Sequence, residues 1–199
     1  MKRINEIFYS LQGEGYNAGR AAVFIRFAGC NIRCPFCDTE FDTFREMSPE
    51  DIIESIKQYP ASFVVLTGGE PTLQADDSFI DLLHRHGFEV AMESNGSRPA
   101  PRNIDWLTVS PKEQENVGQQ TKTLWRQPDE IKLVVDERTD PDTVLSKAAF
   151  TVPSLCYLQP CDTGDLTRNA LIVDRCINYI KQNPQWRLSL QIHKLVGFQ

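Results

Sequence analysis

The chain has 199 residues, 41% of them hydrophobic and 24% charged, which suits one domain spanning 1–199 with its own core. A net charge of −6 with no basic stripe argues against direct action on nucleic acid. No apolar run reaches membrane-spanning length and the N-terminus, MKRINEIFYSLQGEG, lacks a secretory signal, so a cytoplasmic protein with no membrane partner is expected.

Taken in order, AAVFIRFAGC is a short, almost continuously apolar run, the pattern of a strand buried on both faces. SPEDIIESIKQYP follows. Ser48 is an N-cap, Pro49 stands at the first helical position, Asp51 completes a capping box, and Ile52, Ile53 and Ile56 form one face. SFVVLTGGEP predicts a second buried strand ending in a glycine turn. DDSFIDLLHRHG predicts an amphipathic helix stopped by Gly87, with His84 and His86 solvated near its end, and FEVAMESNG a third strand. WLTVSPK, EIKLVVDE and SLCYLQP read as three more strands. The polar segment between Lys112 and Asp129 has no helical period and no assigned role. DLTRNALIVDRCINYIKQ predicts a long helix, and WRLSLQIH a closing strand.

Strands alternating with helices predict a parallel sheet with right-handed crossovers. About six strands and three clear helices are too few for a complete eight-unit barrel, which needs about 250 residues. The expected fold is therefore an abbreviated α/β partial barrel of parallel strands with reduced helical cover. In such folds ligands meet the loops at the C-terminal strand ends. The cysteines, TGGEP, ESNG, SPK and LQP all follow strand ends and are expected to share one rim.

GCNIRCPFCDT places Cys30, Cys34 and Cys37 in one loop. Thiolates suit zinc or iron–sulfur clusters. Structural zinc takes four ligands, often as two separated pairs. A trio complete within one loop can hold three irons of a [4Fe-4S] cluster and leave the fourth open. The alternative on the trio alone is zinc or a fully ligated electron-transfer cluster, with Cys156, Cys161 or His193 as the fourth ligand. Otherwise Cys156, Cys161 and Cys176 read as structural.

The C-x-x-x-C-x-x-C spacing, followed one βα unit later by TGGEP, resembles the radical S-adenosylmethionine (SAM) superfamily. In that superfamily the cysteines hold the cluster and the Gly-Gly-Glu segment meets the methionyl amine of SAM. Two glycines let backbone carbonyls approach an ammonium. More narrowly, EIFYSLQGEG, FIRFAGCNIRCPFCDTEF, LTGGEP, ESNG, SPK, LQP and the terminal QIHK resemble the 7-carboxy-7-deazaguanine synthase family, over nearly the whole chain.

That resemblance implies a homodimeric enzyme of queuosine and deazapurine biosynthesis with a [4Fe-4S] cluster, SAM and Mg²⁺. Its substrate is 6-carboxy-5,6,7,8-tetrahydropterin. A 5′-deoxyadenosyl radical takes hydrogen from C6, the ring contracts, ammonia is lost, and SAM is regenerated. Flavodoxin or ferredoxin is the implied reductant.

Residue by residue, the family's roles fall on Cys30, Cys34 and Cys37 for the cluster and Thr39 for magnesium. Thr67, Gly69 and Glu70, with Ser94, Ser110, Lys112 and Gln159, match the SAM rim. Gln12, Glu14, Arg26, Gly69 and His193 match the substrate site, with the terminal carboxylate of Gln199. Arg26 sits within an apolar strand, where a cation is costly unless paired; a substrate carboxylate or a structural acid such as Glu14 meets that need. Two other readings remain: an activase of a glycyl-radical partner, and a non-catalytic zinc or electron-carrier module.

Overall fold

The computed structural model describes every residue except Phe36, Asp38, Thr39, Phe41, 113–126 and Ala149. The magnesium expectation for Thr39 and most of the unassigned polar segment therefore lie outside the described residues.

One sheet runs in the order β3-β1-β2-β4-β5-β6-β7-β8-β9. The six expected parallel strands are β2 (Ala21–Phe27), β4 (Phe63–Gly68), β5 (Glu89–Ser94), β6 (Trp106–Val109), β7 (Glu130–Val135) and β8 (Leu155–Pro160). Two strands beyond those expected lengthen the sheet, and the expected closing strand is present but short. β1 (Lys2–Leu11) and β3 (Arg45–Met47) extend it antiparallel at one edge, and the three-residue β9 (Trp186–Leu188) extends it parallel at the other. The sheet is open. β1 was hidden in the sequence because its pairing with β2 shifts register between Ile4 and Glu6, which breaks the two-residue alternation.

Helices α1 (Pro49–Ile56), α2 (Asp77–Arg85) and α4 (Leu166–Gln182) are the three anticipated. The Ser48–Asp51 capping box forms in both directions. Asp76 caps α2 through Phe79 N–H, and Gly87 takes a φ of 81° just beyond its end. His84 is not simply solvated: its Nε2 lies 2.8 Å from Asp105, which also accepts the Val90 N–H. Two short helices were not anticipated, α3 (Pro141–Ser146) and α5 (Ile192–Val196). The final strand stops at Leu188 instead of running to His193, because the backbone N–H of Ser189 makes the last bond to Leu158 and the segment then crosses to Gly13.

Strand alternation separates two faces. On the outer face Ile25, Leu66 and Met92 pack with Ile52, Ile56, Phe79 and Leu83 of α1 and α2. Further along that face Ile131, Leu133 and Leu158 pack with Ile172 and Cys176 of α4. The inner face is apolar only near the strand starts, where Phe8, Phe24, Phe63, Val65 and Ala91 pack with Trp106. One register step onward it turns polar: Arg26, Thr67, Glu93, Lys132 and Gln159 occupy that face near the strand ends. Helices cover the outer face, so this polar inner surface is what the fold presents for binding.

Candidate active site

The cysteine loop leaves β2 and is bound directly to the glycine turn after β4. Gly69 N–H donates to Phe27 O at 2.9 Å, and Glu70 N–H to Gly29 O at 2.9 Å. A Cβ on Gly69 would stand 2.0 Å from Gly29 O, and one on Gly68, whose φ is 107°, would stand 2.4 Å from Phe27 O. The two glycines of TGGEP are thus needed for backbone to lie against backbone beside the thiols.

Cys30 and Cys34 are half-buried and Cys37 is exposed, and all three line one cavity. Burial pushes the Cys30 and Cys34 thiols up; neighbouring thiols add to this, whereas Lys112 opposes it at Cys34. Among the described residues no three Cys, His, Asp or Glu side chains gather as a single-ion site. Three thiols from one loop, facing a common hollow, offer a set of soft donors. The donor set therefore fits an iron–sulfur cluster. Cys161 lines the same cavity, whereas Cys156 is buried in the outer core with its thiol directed to Pro153 O at 3.2 Å.

The rest of the rim comes from the following strand ends. Thr67, Gly69, Ser94, Ser110, Lys112 and Gln159 all line the cavity. Lys112 Nζ donates to Ser110 Oγ at 2.7 Å, and burial lowers its pKa against the opposing pull of Cys34. Glu70 does not reach the cavity. It is fully buried behind the rim and accepts from Thr72 N–H (3.1 Å), Thr72 Oγ (2.6 Å), Ser94 Oγ (2.9 Å) and Asn95 N–H (2.8 Å). Its carboxylate fixes the ends of β4 and β5 relative to each other.

The cavity floor is ionic. Lys132 on β7 is 3% exposed, contacts Glu14 and lies 2.7 Å from Glu93 on β5. Gln12 donates to Glu93 at 2.7 Å, and Gln191 donates to Glu14 at 2.9 Å. Burial pushes the Glu14 carboxyl up, but Lys132 and the bonds from Lys132, Gln191 and Gln159 outweigh it and hold the group at about 2. Lys132 and Glu93 escaped the sequence reading. The signal was present in EIKLVV: charges at Glu130 and Lys132 alternate with core residues, so both face inward, where a cation requires an acid.

The other expected substrate residues, Arg26, His193 and Gln199, are not among those lining the cavity. Arg26 pairs with Glu6 at 3.4 Å over the Phe8 ring, the structural acid being Glu6 and not Glu14. His193, on α5, packs its ring onto Gly13, which has no side chain to obstruct it. Ser10 Oγ donates to Gln199 O at 2.6 Å, and Gln199 Nε2 reaches Glu6 at 3.3 Å, which brings Gln199, Glu6 and Arg26 together across β1.

Residues 24–121 match the family described as Radical SAM superfamily. The chain is 45% identical to the 7-carboxy-7-deazaguanine synthase of Bacteroides thetaiotaomicron, with all of both chains covered. It is 41% identical to the enzyme of that name from Bradyrhizobium diazoefficiens, over 98% of each. The crystal structure of QueE from Escherichia coli superposes with a TM-score of 0.79 at 32% identity, covering 96% of this chain and 94% of that one. A three-cysteine loop packed on a glycine turn, on an open sheet of this topology and with full-length identity of this order, places the chain in the 7-carboxy-7-deazaguanine synthase family of radical SAM enzymes.

Proposed function

We propose that the enzyme converts 6-carboxy-5,6,7,8-tetrahydropterin to 7-carboxy-7-deazaguanine with loss of ammonia. The observation that supports this most is the position of Glu14 and Lys132: both line the same cavity as Cys30, Cys34 and Cys37. A surface able to read a polar heterocycle therefore faces the site of radical generation.

Cys30, Cys34 and Cys37 would hold a [4Fe-4S] cluster, which when bound supplies the one-electron reduction of SAM that leads to hydrogen abstraction. The chain's own side chains hold and orient the two small molecules. Gly69, Ser94, Ser110, Lys112 and Gln159 form the SAM rim, and Glu70 acts on it from behind by fixing Ser94 and Asn95. An aminopyrimidinone edge presents N–H donors, and ionised carboxylates accept only. Glu14, kept charged by Lys132, is the acceptor placed for that edge, and Gln12 and Glu93 extend it. Arg26 takes the substrate carboxylate, exchanging or sharing its partner Glu6. His193 and Gln199 complete the site from the C-terminal segment. Thr39 contributes to magnesium, which commonly keeps most of its shell from water and substrate oxygens. A homodimer in the cytoplasm, reduced by flavodoxin or ferredoxin, completes the reading. Among the described residues no helix is long and apolar enough to cross a membrane.

Anaerobic turnover tests this directly. Reconstituted protein with SAM, Mg²⁺, dithionite and 6-carboxytetrahydropterin is expected to yield 7-carboxy-7-deazaguanine by mass spectrometry, and the product is expected to vanish in Cys34→Ala. Cleavage of SAM with the pterin untouched would reject the substrate and leave the radical SAM chemistry standing.

A further inference from the structure

The loop that carries Glu14 is held by its own backbone. Three consecutive amides are each taken by a side chain, the first from the loop itself, the second from just beyond β9 and the third from β7. Glu14 N–H donates to Gln12 Oε1 at 3.2 Å, Gly15 N–H to Ser189 Oγ at 3.0 Å, and Tyr16 N–H to Glu130 Oε2 at 2.9 Å. Glu130 stands on β7 two residues before Lys132, 3% exposed, with its other oxygen accepting from Thr108 Oγ at 2.8 Å. It does not line the cavity. Gly15 has a φ of 66°, and a Cβ there would stand 2.5 Å from Glu130 Oε1. The Tyr16 ring stacks on Trp106 at 4.8 Å, so the loop is pressed flat on the inner face at the point where Glu130 grips it.

A carboxylate buried beneath a loop is costly, and an apolar residue would fill the space with less penalty. Burial does push the Glu130 carboxyl up, against the bonds from Thr108 and Tyr16. What the acid provides, and an apolar residue does not, is an acceptor for the loop's amide. We infer that Glu130 is a positioning residue for substrate binding: it clamps the Gly15–Tyr16 backbone so that Glu14 meets Lys132 and the substrate at a fixed depth. The inference rests on the substrate reading above and adds to it a residue that touches neither substrate nor cofactor.

Glu130→Met keeps the approximate length but removes the acceptor for Tyr16 N–H, whereas Glu130→Gln would keep it, because the Thr108 hydroxyl can accept from the new amide while the amide oxygen faces Tyr16. The loss of one bond to a charged acceptor corresponds to roughly tenfold or more in an equilibrium. The expected signature of Glu130→Met is a KM for 6-carboxytetrahydropterin raised roughly tenfold, with kcat and the KM for SAM within about twofold. Amide hydrogen exchange supplies a readout that needs no turnover: Gly15 and Tyr16 should exchange about tenfold faster, with Ile131 and Leu133 unchanged. Gly15→Ala, which strikes Glu130 from the loop side, should give the same pair of effects and serves if Glu130→Met fails to fold. An unchanged substrate KM, a parallel rise in the SAM KM, or unaltered exchange at Gly15 and Tyr16 in a folded variant would overturn the clamp. If the wild type leaves the pterin untouched, the substrate reading fails and the exchange measurement alone decides the clamp.

Discussion

Lys132 Nζ on β7 lies 2.7 Å from the Glu93 carboxylate on β5, and the same ammonium contacts Glu14 from the β1–β2 loop. One buried cation thus joins two strands and the loop that carries the proposed substrate acceptor. Lys132→Met preserves length and apolar volume but leaves two carboxylates facing each other without a counter-charge. Breaking a buried pair in this way costs about 3–5 kcal/mol, a large part of a typical domain's stability. The pH dependence identifies the cause. In the wild type Glu14 is held at about 2, below its ordinary value of 4.5, so its contribution is fully present above about 4.5 and is lost as pH falls towards 2. Without Lys132, burial alone raises that carboxyl, and protonation relieves the strain. Urea melts at pH 7 and pH 4 should therefore show the variant's deficit shrinking on acidification. A deficit independent of pH would mean that the ion pair is not its source.

Glu70 offers a second test, because the family motif places it at the SAM rim and the geometry buries it behind that rim. Its oxygens accept from two backbone amides and two hydroxyls. Glu70→Gln replaces one oxygen with a donor that faces donors. A bond to a charged group is worth about 1.5–3 kcal/mol, and more is lost when a buried donor is stranded. For a chain of this size that corresponds to roughly 4–10 °C in Tm. SAM binding should weaken along with Tm, since Ser94 and Asn95 lose their anchor. A variant with unchanged Tm but weakened SAM binding would instead place the carboxylate on the cofactor.

The contrast between these two acids shows what was legible in the sequence. Helix α1 was readable to its cap because Ser48, Pro49 and Asp51 act locally. Strands β2, β4 and β8 were readable because they are largely buried and nearly continuous in apolar residues, and β5 and β7 because a run of apolar residues remains between or beside their charges. The cysteine loop and the glycine turn could be paired as a site because each follows a strand end. Residues whose roles depend on long-range partners were another matter. Glu14 and Lys132 are 118 positions apart, and Gln191 and Glu14 are 177 apart. No local spacing encodes such pairings. The C-terminal segment was misread for the same reason: WRLSLQIH alternates like a strand, but Ser189 and Gln191 are engaged by Gln159 and Glu14, and the chain turns into α5.

That C-terminal segment is also sensitive to a single methyl group. Gly13 lies outside the left-handed region, so alanine fits its backbone, yet the added Cβ would stand 2.5 Å from His193 Nδ1. Gly13 O also accepts the Ile192 N–H at 3.1 Å, which ties the start of α5 to the same loop. Gly13→Ala should displace the His193 ring and leave the two outer cores untouched. The expected outcome is a substrate KM raised roughly tenfold with Tm changed by less than about 3 °C, in line with a displaced binding group and an intact core. Unchanged kinetics would remove His193 from the substrate site, because the substitution cannot leave the ring where it is.

The remaining question at the metal site is whether three thiols or four hold the cluster. Cys161 is the one further cysteine on the cavity wall, buried, with its thiol 3.8 Å from Asp162 O and pushed up by burial and nearby acids. If the site were closed by a fourth protein ligand, as in structural zinc or an electron carrier, Cys161 is where that ligand would come from. The loop spacing of Cys30, Cys34 and Cys37 instead favours a complete set of three, with one position left for SAM. Cys161→Ser should therefore keep about four irons and four sulfides per chain after anaerobic reconstitution, the content expected of a [4Fe-4S] cluster. It should also keep the change in the cluster's electron paramagnetic resonance signal on adding SAM. Cys34→Ala should lose both. Loss of iron in Cys161→Ser, with the spectrum of the wild type insensitive to SAM, would mean a closed four-thiolate site and would remove the basis for radical generation at this loop.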